Sequence, residues 1–74
     1  MNTQELRQVA DQLKTEMSEA TQAAVDARYE MNTNNDPRKE MDLITAFRAA
    51  ADRVKDLEQR WAAAEAAYQA SLDA

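Results

Sequence analysis

The chain contains no cysteine, no histidine and no glycine, and only one proline. Without cysteine there is no disulfide, and without cysteine or histidine there is no zinc or haem site of ordinary type. Carboxylates remain as ligands for a hard cation, but the glycine-punctuated acidic loop of a calcium site is missing. No apolar run approaches the roughly 18–20 residues needed to cross a bilayer, and the N-terminus lacks a basic stretch followed by an apolar block. These absences predict a cytoplasmic protein with no metal, no cofactor and no membrane partner. Export by a machine that ignores cleavable signals is the alternative left open.

What is present is acidic and helix-forming. Seventy-four residues carry 14 acidic side chains against 9 basic ones, a net charge of −5, which argues against direct binding to nucleic acid through a basic face. Charged residues make up 31%, a level compatible with disorder, but 45% apolar residues in a regular pattern outweigh it. Abundant Ala, Glu, Gln, Leu and Arg favour helix. Chains this small rarely exceed ~3–5 kcal/mol of stability without a disulfide, a metal or a partner. With the first two excluded, self-association or capture by another protein is the expected route.

One cluster of turn formers divides the chain, at Asn32-Thr33-Asn34-Asn35-Asp36-Pro37. Pro37 suits a first helical position, where its missing N–H would be unpaired anyway. Asp36 becomes the N-cap, held extended by the proline after it. Asn34 or Asn35 is expected in the left-handed conformation that ends the preceding helix. The chain thus reads as a single all-α hairpin domain over residues 1–74, with helices at about 3–31 and 37–72 and a turn at 32–36. At ~1.5 Å per residue the helices are roughly 43 and 54 Å long, and the short connection makes them antiparallel.

Each helix has an apolar seam. Leu6, Ala10, Leu13, Met17, Ala20, Ala24, Ala27 and Met31 alternate steps of four and three, as do Leu43, Phe47, Ala50, Val54, Leu57, Trp61, Ala64 and Tyr68. A 3.5-residue repeat keeps one line of side chains facing a neighbouring helix, as in a coiled coil. Centring the turn at Thr33/Asn34 opposes Leu6 to Trp61, Ala10 to Leu57, Leu13 to Val54, Met17 to Ala50, Ala20 to Phe47 and Ala24 to Leu43. Small residues then mostly face large ones, while Glu16 falls beside Arg53 and Glu30 beside Lys39. A second hairpin from the same chain would complete a four-helix bundle, and the homodimer is the expected assembly.

In this register helix 2 outruns helix 1 beyond about Gln69, and Tyr68 faces only the frayed N-terminus. Leu6, Trp61, Tyr68 and Leu72 are therefore expected to form a partner-binding end. Val25 and Tyr29 on helix 1, with Met41, Ile44 and Ala51 on helix 2, lie off the seams near the turn and suggest a second helix–helix contact. Whether either surface meets a second copy or a foreign protein is open at this level.

Catalytic chemistry has little foothold. Acid–base catalysis wants a titratable group in a concave, water-poor site, and two helices make a ridge. Glu16/Glu19, Asp26/Glu30 and Asp52/Asp56 have helical spacing, but they read as a solvated face, with Arg48–Asp52 and Asp56–Arg60 as intrahelical pairs. No enzyme activity, catalytic residue or small-molecule substrate is expected.

Asn35-Asp36-Pro37 and the first turns of helix 2 resemble the turn of needle subunits and small co-chaperones of bacterial type III secretion. The aromatic N-terminal motif of a needle subunit is missing. In size, charge and helicity the chain is also similar to phage accessory proteins that inhibit host factors. No residue roles carry over from either. The expected function is a small acidic regulator or inhibitor that occludes a surface of an unidentified larger protein. A structural or chaperone hairpin that pairs with another helical subunit is the alternative, and an acidic DNA mimic the third.

Overall fold

The computed structural model describes residues 2–73, so the two outermost residues of the 1–74 hairpin domain lie outside it. Helix α1 runs Thr3–Thr33, a single 3-10 turn covers Pro37–Lys39, and helix α2 runs Glu40–Asp73. The two long helices pack against each other, and the fold is all-α, a helical hairpin. It is a slender rod of 57 × 14 × 13 Å.

Local chemistry explains each boundary. Asn2 caps α1: its side chain accepts from the Glu5 N–H at 2.8 Å, one of the donors that a helix start leaves unpaired. At the other end, the Thr33 hydroxyl donates to the Tyr29 carbonyl at 2.8 Å, and the helix runs two residues past the expected Met31. Asp36 is the cap foreseen for the second helix, accepting from the Arg38 N–H at 3.0 Å with Pro37 in between. The first turn after it is 3-10, and the α-helix proper begins at Glu40.

The turn differs from the left-handed asparagine expected in it. No described residue has positive φ, and Asn34 stands at φ −71°, ψ 128°. Its side chain makes the left-handed conformation unnecessary. Asn34 Nδ2 donates to the Asp36 carbonyl at 2.7 Å, and the Asp36 N–H donates back to Asn34 Oδ1 at 3.1 Å. An asparagine that bonds across the turn avoids the steric cost of left-handed backbone.

Every residue of the two apolar seams is buried or half-buried. Ala10, Ala20 and Leu57 are the only buried ones among the described residues. Two of these are alanines, side chains small enough for a neighbouring helix to cover completely.

The register, however, differs from expectation. Ala10 and Trp61 line one recess, Ala24 and Phe47 another, and Ala20 lies with Ala50 in a third. This is a slide of about four residues, one helical turn, from the pairing that put Ala20 against Phe47. The cause is the turn: with α1 ending at Thr33, its centre lies at Asn35 rather than at Thr33/Asn34. Small still meets large, with Ala10 at Trp61 and Ala24 at Phe47.

The ion pairs are local rather than between the helices. Among the described residues they are Arg7–Asp11 at 3.9 Å, Arg38–Asp36 at 3.3 Å and Arg60–Asp56 at 3.1 Å. Glu16–Arg53 and Glu30–Lys39 do not form, and Arg53 shares a recess with Glu19 instead. Arg60–Asp56 is the expected intrahelical pair, whereas Arg48 and Asp52 stay apart.

Candidate functional site

The slide changes what is left over at the open end. Tyr68, expected to face only a frayed N-terminus, meets one that is helical from Thr3. It lies along the first turns of α1, in a groove with Thr3, Gln4, Arg7 and Asp11. Trp61 packs into the adjoining recess with Ala10, Lys14 and Glu65. Leu6, Trp61 and Tyr68 are each half-buried within the hairpin. Of the four residues expected to form this end, only Leu72 stands in solvent, so the apolar overhang is shorter than the sequence suggested.

The turn end keeps more apolar surface. Val25, Tyr29 and Met41 are 56%, 70% and 68% exposed, compared with 53% for Leu72. Nearby runs a shallow groove lined by Thr21, Ala24, Val25 and Arg28 of α1 and by Phe47, Ala51 and Val54 of α2. Ile44 is half-buried one heptad before Ala51, which places both on one stripe of α2. Val25 and Ala51 are thus brought together in the groove. Tyr29 and Met41 stand farther round their helices, at its margins.

The face has two halves of different character. On α1 the residues Arg7, Lys14, Thr21 and Arg28 recur every seven and border this side of the hairpin. On α2 the matching stripe is Ile44, Ala51, Glu58, Glu65 and Leu72. Toward the open end the groove is therefore walled by a basic stripe facing an acidic one. Toward the turn its walls are apolar apart from Thr21 and Arg28. Sequence periodicity centred on the seams passes over these flanking stripes. A separate seven-residue count on the positions beside each seam finds them.

Two of the acidic side chains on the outer surface are engaged locally. Asp26 accepts from the Gln22 amide nitrogen Nε2 at 2.9 Å, and Asp56 holds Arg60. Among the described residues no three acidic side chains gather into a potential metal site. Among the described residues no helix is long and apolar enough to cross a membrane. No known family, characterised protein or solved structure matches the chain.

Proposed function

We propose that the chain is a small non-enzymatic protein-binding module, self-associated, that regulates or inhibits a larger protein by covering part of its surface. The observation that carries this reading is the set of large apolar side chains held in water on a helical frame: Val25, Tyr29, Met41 and Leu72 are each more than half exposed. Apolar groups grouped on so small a molecule mark contact surfaces more often than chance exposure. The foreign protein is assigned to the open end, where Leu72 and the edges of Trp61 and Tyr68 supply anchors once the second copy is displaced. A net charge of −5 steers the module toward a basic target and sets the on-rate more than the affinity.

The test is affinity capture from extracts of the cells that make the protein, using the full chain and a Leu72→Asp, Trp61→Ala variant. Loss of a stoichiometric partner with helicity retained by circular dichroism supports the reading. Capture that is indifferent to both substitutions removes the open end as the contact.

A structural or chaperone role is the second reading, favoured by the slender shape and the three buried residues. A regulator forms a discrete dimer alone, whereas an assembly subunit grows with concentration. Light scattering over a concentration series separates the two.

A further inference from the structure

We infer that the turn-proximal groove between Val25 and Ala51 is the seat of a second copy of this chain, docked about a two-fold axis that runs along the helices. This rests on the self-association proposed above and names its surface and geometry.

The area calls for a mate of this size. A folded chain of 8.3 kDa ordinarily exposes about 4,600 Å². This one exposes 5707 Å², about 1,100 Å² more than that scaling gives. A standard interface removes about 800 Å² from each partner. The radius of gyration agrees: 16.7 Å, against about 11 Å for a compact chain of this length. One further hairpin laid along the groove removes most of the excess.

Polarity chooses the face. The turn-proximal groove is lined by Val25, Phe47, Ala51 and Val54, with Thr21 and Arg28 its only polar walls. Ala51 is a small residue among larger ones, a hole for a side chain from the opposing copy.

Charge chooses the axis. Two hairpins can meet through this face in two symmetric ways. If the axis crosses the helices, α1 lies on α1 and the basic stripe of Arg7, Lys14 and Arg28 meets itself. If the axis runs along them, α1 of one copy lies antiparallel on α2 of the other. Arg7 and Glu65 line the same recess, so they sit at one level, and Lys14 and Glu58 lie one heptad closer to the turn on each helix. The second arrangement therefore sets Arg7 against Glu65 of the second copy and Lys14 against Glu58 of the second copy. Lys14, Glu58 and Glu65 belong to none of the ion pairs among the described residues, so they are available for these contacts. Like charges opposed across an interface weaken it and opposite charges set its register, so the axis along the helices is selected. The turn ends then coincide, and the two turn-proximal grooves meet, with Thr21 at the level of Ala51 and Arg28 at the level of Ile44 of the second copy.

The experiment measures mass by light scattering across a dilution series, with circular dichroism in parallel. Wild type is expected as a dimer. Val25→Asp, at an exposed position, is expected to give a helical monomer. Lys14→Glu and Glu58→Lys are each expected to dimerise about tenfold more weakly, within the range of a few surface pairs. A 1:1 mixture of those two variants restores dimers, because each reversed charge then meets an opposite one on the other chain. No contact within one chain can produce that rescue. A wild-type monomer at all concentrations overturns both this inference and the self-association reading. A dimer that survives Val25→Asp overturns the face alone. A mixture without rescue overturns the axis.

Discussion

Asn34 and Asp36 close the turn on each other: the Asn34 amide donates to the Asp36 carbonyl at 2.7 Å, and the Asp36 N–H returns a bond to the Asn34 side-chain oxygen at 3.1 Å. The Asp36 carboxylate also caps the start of the second helix by accepting from the Arg38 N–H. Two side chains thus replace the glycine that the chain does not have. Asn34→Ala removes both reciprocal bonds, and Asp36→Ala removes the cap. Each is expected to destabilise by about 1–2 kcal/mol. Thermal unfolding at fixed protein concentration checks this, with an expected fall of roughly 4–8 °C per kcal/mol for a domain of this size.

Leu57 is the only large side chain among the three buried residues. Truncating a buried leucine to alanine costs about 2–5 kcal/mol, comparable with the ~3–5 kcal/mol that so small a fold commands. Leu57→Ala is therefore expected to leave the isolated chain largely unfolded at 25 °C. Full helicity in the variant would show that stability resides elsewhere.

The absence of native cysteine makes the register directly readable. In Ala10→Cys, Trp61→Cys the thiols share one recess, and an intramolecular disulfide is expected under mild oxidation. Leu6→Cys, Trp61→Cys tests the pairing one turn away and is expected to cross-link more slowly. The reverse order of rates would restore the register that the sequence alone suggested.

Surface charge is expected to matter little within the hairpin. The Arg60–Asp56 pair is exposed and spaced at i, i+4, so Arg60→Ala is expected to cost at most about 0.5 kcal/mol and to cost less in high salt. Glu16→Ala is expected to remove no ion pair at all, since Arg53 lies with Glu19. Urea titrations at low and high salt distinguish the two.

The helices, their antiparallel meeting and the line each buries were legible because the spacing from Leu6 to Met31 and from Leu43 to Tyr68 keeps one apolar line on each helix and a single turn cluster divides them. The Asp36 cap was legible from the proline after it. Asn2 carries a signal too, as an asparagine three residues before Glu5, a capping pattern that a count of seam residues passes over. The register was not legible, because it turns on how the last turn of α1 ends. Thr33 bonds back to Tyr29 and Asn34 bonds forward to Asp36, and those two local choices move every facing pair by one turn. The candidate open end inherited that shift: Trp61 and Tyr68 have recesses on α1 to occupy. Val25, Tyr29 and Met41 stay exposed, since they lie off the seam in either register.

Pro37 has a consequence beyond its own turn. Straightening the connection into one unbroken helix would put the ring of Pro37 against the Thr33 carbonyl four residues earlier and delete a backbone bond, at about 3 kcal/mol. It would also break the bonds between Asn34 and Asp36. Exchange of whole helices between chains, the common way for hairpins to entangle, is thereby disfavoured. The hairpin closed by its own turn, rather than a lone helix, is then the unit from which any oligomer is built.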